Sequence, residues 1–466
     1  MLIVPSEEEK VGRKGILASG FWLGVSLLAV AAVSADEAVT NETLLRDIRD
    51  LKKTVQQQAG KIADLEQRVK QQEMQSQVSE APAVATDIDK KIDERLTKRI
   101  PGFQLLDGLS MSIGATSVLQ AARNANGDSQ LSQKEDVTEA SYTADITFEK
   151  KFEDYAEAYV YLGAGQGAGA DDRLALYKGV NYAASDGVNV TFIEAWYEQY
   201  FPAISGALAF GKLDATSYID TNEYANDSDT QFLGVMFNNS PVVEFPSNGA
   251  AVHFGASPRE WLSVNLIAQD GNADWSDVFD GMFLAGQLNF KPKFFAKGGN
   301  YRLLAWNNNT NHTKWDDTAK DKERGYGYGL SFDQELTGSI GVFARYGWQD
   351  PKVYVVDEDD PGSEFSLEQS WSLGPQFKGT LWGRPDDVLG IGFGQIIPSN
   401  EYKKFSPLGP LQAKTESHLE CYYNFKVNDH LSLSPDLQVI WQPYGKDAVN
   451  GDGTIVVGGL RGRMDF

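Results

Sequence analysis

The 466-residue sequence predicts an all-β transmembrane barrel of roughly sixteen antiparallel strands, preceded by an N-terminal α-helical coiled coil. Three observations lead to this prediction. Apolar and polar residues alternate from about residue 109 to the end of the chain. Long polar connections take turns with short ones, and the last strand ends on an aromatic residue.

The first 35 residues have the order of a secretory signal peptide. Lys10, Arg13 and Lys14 precede the apolar run "ILASGFWLGVSLLAVAAVSA", which ends on small residues. We expect export and cleavage after Ala35. A retained membrane helix is the alternative, because the run is nearly long enough to span a bilayer.

Residues 36–78 are predicted to form a coiled coil in the periplasm, because apolar residues repeat every seven positions over 41–72. One core position is filled by Ile48, Val55, Ile62 and Val69, and the other by Leu44, Leu51, Gln58 and Leu65. Alternating β-branched and leucine positions favour a parallel dimer, so we expect self-association through residues 41–72. Residues 79–100 are predicted to be a linker and a short helix.

Residues 101–466 are predicted to form the barrel. Segments such as "HLECYYNFKVN", "LSLSPDLQVIW" and "ASYTADITFEK" place apolar side chains on one face of a strand and polar or charged ones on the other. Short connections such as "FEDY" and "PAIS" are interleaved with long ones such as 215–248. An outer-membrane barrel with short periplasmic turns and long external loops has this pattern, whereas a soluble sandwich or propeller does not need it.

The final strand, "VVGGLRGRMDF", indicates which face is which. An arginine that faces lipid near the bilayer midplane costs about 2–4 kcal/mol. We therefore expect Arg461 and Arg463 to face the lumen. Parity then places Leu460, Met464 and Phe466 against lipid.

Composition excludes several other functions. The net charge of −23 leaves no excess of Lys and Arg to neutralise phosphates, which argues against nucleic acid as a partner. The single cysteine, Cys421, excludes an intrachain disulfide. The four histidines are scattered and no "GxSxG" is present, so we expect no catalytic residues and no cofactor. The segment "DTNEYANDSD" lacks the turn glycine of a calcium loop, so no metal site is predicted.

Three segments, together with the final strand, resemble the carbohydrate-selective porin family. They are "GKLDATSYIDTNEYANDSDTQF", "NNSPVVEFPSNG" and "ECYYNFKVNDHLSLSPDLQVIWQP", and they come in family order within residues 105–466. The resemblance implies sixteen strands and passive diffusion of sugars or similar small polar solutes. It also implies that the barrel lies in the outer membrane of a Gram-negative bacterium, in contact with lipid and lipopolysaccharide.

Two alternatives remain open at this point. A related branch of that family has a similar amino-terminal coiled coil and is linked to siderophore uptake, so the solute is either a sugar or a siderophore. The second alternative is a structural tether or adhesin that joins the cell wall to the outer membrane through the coiled coil.

A sugar path needs side chains that hydrogen-bond hydroxyls and aromatic rings that stack on sugar faces. Parity supplies these wall candidates: Glu157, Tyr159, Glu194, Trp196, Glu198, Arg345, Glu420, Tyr422, Arg461 and Arg463. The start of the longest loop supplies these constriction candidates: Lys212, Asp214, Asp220, Asn222, Asn226, Asp227 and Gln231. The alternatives are that the wall residues only keep a wet lumen polar and that the loop residues form an anchoring network.

The longest loop, 215–248, is predicted to fold into the lumen. It contains no Lys or Arg, and its run "FLGVMF" is too apolar to lie free in water. We expect Phe232, Leu233, Val235 and Phe237 to be buried against the barrel wall. The acidic loops should attract cations and repel anions at low salt.

Overall fold

A computed structural model describes residues 108–127, 135–184, 187–356, 364–409 and 411–466. The predicted signal peptide, coiled coil, and linker with its short helix lie outside the described residues. None of the helices within the described ranges has the length and apolar character required to cross a membrane.

The described residues contain eighteen strands, of which sixteen form one closed antiparallel barrel. Their bounds are β1 Leu109–Ala125, β2 Glu135–Phe152, β3 Ala156–Gln166, β4 Thr191–Phe201, β5 Gly206–Leu213, β6 Gly249–Arg259, β7 Leu262–Asp270, β8 Met282–Phe290, β9 Lys293–Phe294, β10 Lys297–Lys314, β11 Glu323–Thr337, β12 Ile340–Gln349, β13 Val353–Tyr354, β14 Leu367–Lys378, β15 Val388–Pro398, β16 Glu416–Asn428, β17 Leu431–Trp441 and β18 Ile455–Asp465. The two-residue strands β9 and β13 lie beside the barrel strand β10. This architecture confirms the predicted barrel of roughly sixteen antiparallel strands.

The barrel closes because β1 is hydrogen-bonded on both sides. Thr116 of β1 is opposite Thr143 of β2 and also opposite Arg463 of β18. Closure pairs the backbone N–H and C=O groups of every barrel strand with those of a neighbour. A sheet in lipid requires this, because no water is present to bind the groups of an open edge.

Within the described residues, helical structure is confined to short segments. The α-helices are α1 Val235–Asn238 and α2 Asn400–Phe405. The 3₁₀ segments are Gly169–Arg173, Pro202–Ile204, Ala215–Ser217, Gly379–Trp382 and Pro443–Lys446.

The connections divide into two groups that lie at opposite ends of the barrel, because each barrel strand is antiparallel to the next. At one end, here called the long-loop end, the connections are 126–134, 167–190, 214–248, 271–281, 315–322, 350–366, 399–415 and 442–454. At the other, the short-turn end, they are 153–155, 202–205, 260–261, 291–296, 338–339, 379–387 and 429–430. The chain enters β1 and leaves β18 at the short-turn end.

Alternation along β18 separates the outer face from the inner one. Leu460 and Met464 are 47% and 41% exposed, and Phe466 is 71% exposed beyond the last strand residue. Arg461 is 1% exposed and lies inside the barrel. Period-two patterning therefore places apolar side chains on the lipid-facing surface and charged ones in the lumen.

The main hydrophobic core lies inside the barrel, between its wall and the connection 214–248, here called the inner loop. Phe232, Met236 and Phe237 of the inner loop are at most 1% exposed. They lie against Gly392 and Gly394 of β15: a Cβ on Gly392 would stand 2.7 Å from Cε1 of Phe237, and one on Gly394 2.5 Å from Cε of Met236. Glycine at these two wall positions makes room for the loop.

Candidate solute-binding lumen

Arg345 of β12 contacts two separate parts of the inner loop, residues 220–226 and Phe237. Its guanidinium donates to the carbonyl of Phe237 at 2.7 Å, to the carbonyl of Asp220 at 3.0 Å and to Oδ1 of Asn226 at 3.0 Å. The Asp220 carboxylate lies 3.4 Å from the Nε of Arg345. A guanidinium presents five donors in a fixed fork, which suits it to several carbonyl partners at once.

Glu420 and Tyr422 of β16 hold the middle of the loop. Glu420 accepts the backbone N–H of Leu233 at 2.6 Å and that of Gly234 at 2.9 Å. The ring of Tyr422 meets Phe232 edge to face, with centroids 4.8 Å apart. Charge-assisted hydrogen bonds and an aromatic contact therefore act on the same short segment.

Two arginines of β18 hold residues 228–231, the part of the inner loop that precedes this middle segment. Arg461 donates from Nη1 to the carbonyls of Ser228 and Gln231. Arg463 donates to Oδ2 of Asp229 at 2.8 Å. The guanidinium of Arg461 is therefore fully buried against the loop, whereas the side chain of Arg463 remains 13% exposed.

The constriction candidates of the loop mostly hold the loop itself. Asp220 accepts the N–H of Ser240 at 2.6 Å, which holds the early and late parts of the loop together. Asn222 donates to Oγ of Ser331 at 3.2 Å and to the carbonyl of Phe332 at 3.1 Å. Both side chains are buried, so these contacts support the anchoring interpretation for these two residues.

The remaining loop candidates shape local turns. Oε1 of Gln231 accepts the N–H of Asn226 at 2.8 Å, and Oδ1 of Asp227 accepts the N–H of Asp229 at 2.8 Å. Asp214 caps the 3₁₀ segment Ala215–Ser217 by accepting the N–H of Thr216 at 2.8 Å. Short polar side chains stabilise turns in this way without facing a solute.

Lys212 is an exception among the candidates, because it does not face the lumen. Ala209 and Leu213 of β5 are buried inside, whereas Phe210 is 50% exposed on the outer face. Lys212 shares the parity of Phe210, and its Nζ donates to the carbonyl of Phe192 at 2.7 Å. The sequence-based assignment of Lys212 to the constriction is therefore wrong, because alternation along β5 places this side chain on the outer face.

Five wall candidates on β3 and β4 lie together on the inner face and stay half-exposed: Glu157, Tyr159, Glu194, Trp196 and Glu198. By contrast, the wall candidates that hold the inner loop are at most 4% exposed: Arg345, Glu420, Tyr422 and Arg461. The structure therefore divides the predicted wall into a covered part and an open part. We call the five half-exposed side chains the acidic-aromatic wall.

The rings and carboxylates of the acidic-aromatic wall are in direct contact. Tyr159 and Trp196 stack with centroids 5.1 Å apart and an interplanar angle of 27°. The indole Nε1 of Trp196 donates to Glu194 at 3.1 Å. Glu157 lies opposite Glu198 across the strand pair, and Tyr200 donates its hydroxyl to Glu157 at 2.8 Å. This surface offers stacking faces and hydrogen-bond acceptors side by side.

Two acidic side chains beside Arg463 were missing from the predicted site. Asp229 accepts the hydroxyl of Thr116 at 2.6 Å and lies 2.8 Å from Arg463, and Asp145 of β2 lies 3.2 Å from the same guanidinium nitrogen. Together with Tyr161, Asp145 and Asp229 line a cavity of about 420 Å³. The sequence contained an indication of this contact. The inner loop has several Asp residues and no Lys or Arg, so its carboxylates can pair only with basic side chains of the barrel wall.

Within the described ranges, no group of three or more His, Cys, Asp or Glu side chains is placed to hold a metal ion. The geometry instead offers hydrogen-bonding groups and aromatic faces for a solute in the lumen.

Asp171 is a buried carboxyl in the connection 167–190. It accepts the N–H of Val180 at 2.6 Å and that of Asn181 at 3.2 Å. Burial raises the pKa of Asp171 to about 6, although the two N–H groups favour the charged form. The closed loop therefore stabilises the neutral carboxyl.

We expect amide hydrogen exchange at Val180 and Asn181 to slow, after correction for intrinsic rates, as pH falls below about 6. An opened loop restores the ordinary Asp171 pKa of 3.8. Because closing the loop raises the pKa of Asp171, protonation of this carboxyl stabilises the closed loop. The stabilisation is fully present below pH 3.8 and is lost as the pH rises through about 6. Asp171→Asn should remove the dependence. A slope that persists in this variant would assign it to another group.

A closed sixteen-strand barrel with an inward-folded loop and an acidic, aromatic inner wall defines an outer-membrane porin. The carbohydrate-selective porin family, OprB, matches residues 154–466, which is more than half of the sequence. The chain belongs to this family.

Individual relatives are more distant. Porin B of Pseudomonas aeruginosa is 29% identical over 274 residues, which cover 49% of this chain and 56% of that protein. Porin AaxA of Chlamydia abortus is 22% identical over 269 residues, which cover 54% and 53%. The chain thus spans about half the length of these curated relatives. A solved structure of Pseudomonas putida OprB at high pH has a TM-score of 0.63 at 18% identity, over 79% of this chain and 97% of that one, and so shares its fold.

Proposed function

We propose that this porin allows carbohydrates, or similar small polar solutes, to diffuse passively through a lumen narrowed by the inner loop. The observation that supports this most directly is the acidic-aromatic wall, where Trp196 stacks on Tyr159 and hydrogen-bonds Glu194. Aromatic faces bind the apolar faces of sugars, and carboxylates accept hydrogen bonds from their hydroxyls. The matched family is named for carbohydrates, and nothing in it supports the siderophore or tether alternatives.

The distribution of charge favours neutral or cationic solutes over anions. Arg302, Arg345 and Arg461 are at most 6% exposed, and each lies close to a carboxylate or a backbone carbonyl. The carboxylates of the acidic-aromatic wall remain half-exposed. A lumen that exposes more negative than positive groups attracts cations, most strongly at low salt.

The orientation and the N-terminal region complete the proposal. We place the long-loop end outside the cell, in contact with lipopolysaccharide, and the short-turn end in the periplasm. Residues 36–78 would then extend into the periplasm after cleavage of residues 1–35, and self-associate through 41–72. These assignments rest on the heptad spacing and on the alternation of loop lengths.

Replacing Trp196 by alanine should weaken the block of single-channel current by glucose about fivefold, because stacking between aromatic groups contributes about 0.5–1.5 kcal/mol. The measurement is the glucose concentration that halves the conductance of the full protein in a planar bilayer. Conductance in salt alone should stay within about twofold, because the ring does not hold the inner loop.

Trp348→Ala is the matched control. Trp348 also stacks on a tyrosine, Tyr328, at 5.4 Å and 25°, but on the outer face of the barrel. Equal glucose block in wild type and Trp196→Ala would remove the acidic-aromatic wall from the solute path. An absence of glucose block in the wild type would contradict the carbohydrate proposal itself.

A further inference from the structure

A second polar cavity lies at the long-loop end, away from the acidic-aromatic wall. Its volume is about 350 Å³, and it is lined by residues within 178–182, 216–245, 353–355 and 365–367 together with Gln349 at the end of β12. Small-molecule sites have volumes of roughly 300–1,000 Å³. The mouth of the barrel therefore contains a recess of the size of a small solute.

Two buried polar atoms that line this recess, Oε1 of Gln349 and Nδ2 of Asn239, have no hydrogen-bond partner among the described residues. Lys178 also lines the recess; it is partly exposed, and no hydrogen bond or ion pair joins it to a described residue. Burial lowers the pKa of Lys178 below its usual range, and the nearby charge of Glu244 offsets only part of this effect. Gln349 is 8% exposed: its Nε2 donates to the carbonyl of Leu367 at 2.6 Å, but its Oε1 is buried without a hydrogen bond. Buried polar atoms are usually paired, so an unpaired one that lines a cavity indicates a missing partner.

Glu244 adds an acceptor to the same recess. Its Oε2 is held by Nε2 of His312 at 2.9 Å, and its Oε1 has no hydrogen-bond partner among the described residues. The recess thus combines an ammonium donor with carboxylate and amide acceptors. A hydroxyl both donates and accepts, so neighbouring hydroxyls of one molecule can satisfy all three groups.

The rest of the lining is apolar and aromatic. Tyr354 and Phe365 line the recess, and Tyr354 is held against Trp315 with centroids 4.0 Å apart. Trp315 is in turn fixed by a hydrogen bond of 2.8 Å from its Nε1 to Ser366. A rigid aromatic side next to a few convergent polar groups is typical of sites for small polyhydroxylated molecules.

We propose that this recess, defined by Lys178, Glu244, Gln349, Tyr354 and Phe365, is a capture site for a neutral mono- or disaccharide at the mouth of the porin. It rests on the proposed carbohydrate function and adds a second binding site to it. A solute held weakly at the mouth raises its local concentration above the acidic-aromatic wall. The capture site therefore acts on uptake at low sugar concentration and becomes irrelevant at saturation.

The test uses the full protein in planar bilayers, with glucose added on the long-loop side. Lys178→Met and Gln349→Leu should each lower the glucose association rate and raise the half-blocking concentration about three- to tenfold, as expected for a lost hydrogen bond. Lys352→Met is the matched control, because Lys352 is an exposed lysine at the same end of the barrel, in the connection 350–366, and does not line the recess. Unchanged conductance in salt alone shows that each variant still forms the pore.

Three results would overturn the capture site while leaving the proposed function intact. The first is an unchanged glucose block in Lys178→Met together with a weakened block in Trp196→Ala. The second is an equal loss in Lys352→Met, which would make the effect one of net charge. The third is a loss seen only with gluconate and not with glucose, which would make Lys178 a site for anions. Absence of any glucose block in the wild type would instead contradict the proposed function.

Discussion

Deletion of residues 222–238 is expected to raise single-channel conductance at least about twofold and to abolish glucose block. This segment carries Phe232, Met236 and Phe237, which fill the space between the inner loop and the wall. Its removal would leave the lumen of a sixteen-strand barrel wide and polar. A sugar in such a lumen no longer contacts two walls at once, so it would not block the current measurably.

The deletion can be closed without distorting the barrel. The N–H of Ser240 donates to Asp220 at 2.6 Å, so the chain already returns beside its starting point. Thr221 can therefore be joined to Asn239 by a short glycine linker. Removal of residues 274–279 is the matched control, because that stretch is mostly exposed at the same end of the barrel.

Conductance equal to that of the wild type after the deletion of 222–238 would show that the segment does not narrow the path. Increased conductance with full glucose block would place sugar binding on the acidic-aromatic wall alone. In the control deletion, both quantities should remain at their wild-type values.

The fold was largely predictable because a barrel in lipid imposes a local rule on every strand. A charged residue on the lipid face costs free energy, so alternation alone places Arg461 inside and Leu460 outside. The alternation of long and short connections indicates the even strand number separately, because an even number of antiparallel strands returns the chain to the end of the barrel where it began. Lys212 was assigned to the constriction because it lies close to the long loop in sequence. Its position next to the inward-facing Leu213 instead places it on the outer face of the barrel.

The candidate site was less predictable because its contacts join residues far apart in sequence. Asp220 meets Arg345 and Leu233 meets Glu420 across more than a hundred positions, and no local pattern encodes which wall residue holds which part of the loop. Composition indicates only that an acidic loop must meet cations. The structure adds the division between covered arginines and the half-exposed acidic-aromatic wall.

Arg461 should be the single wall residue whose loss most loosens the inner loop. It is 1% exposed and donates to the carbonyls of Ser228 and Gln231. It also supplies positive charge beside Glu420 and Asp436, both of which are buried. Removing one partner of a buried ionic group leaves the others uncompensated, at a cost of about 3–5 kcal/mol.

Arg461→Met is therefore expected to give a channel whose current fluctuates between the wild-type level and a level near that of the 222–238 deletion. Arg123→Met, in an exposed position on β1, should behave like the wild type. A second change, Glu420→Gln, added to Arg461→Met should restore part of the steady current, because it removes an uncompensated negative charge and keeps an acceptor for the N–H of Leu233 while losing the acceptor for that of Gly234. A steady wild-type current in Arg461→Met would show that Arg345 and Glu420 hold the loop without it.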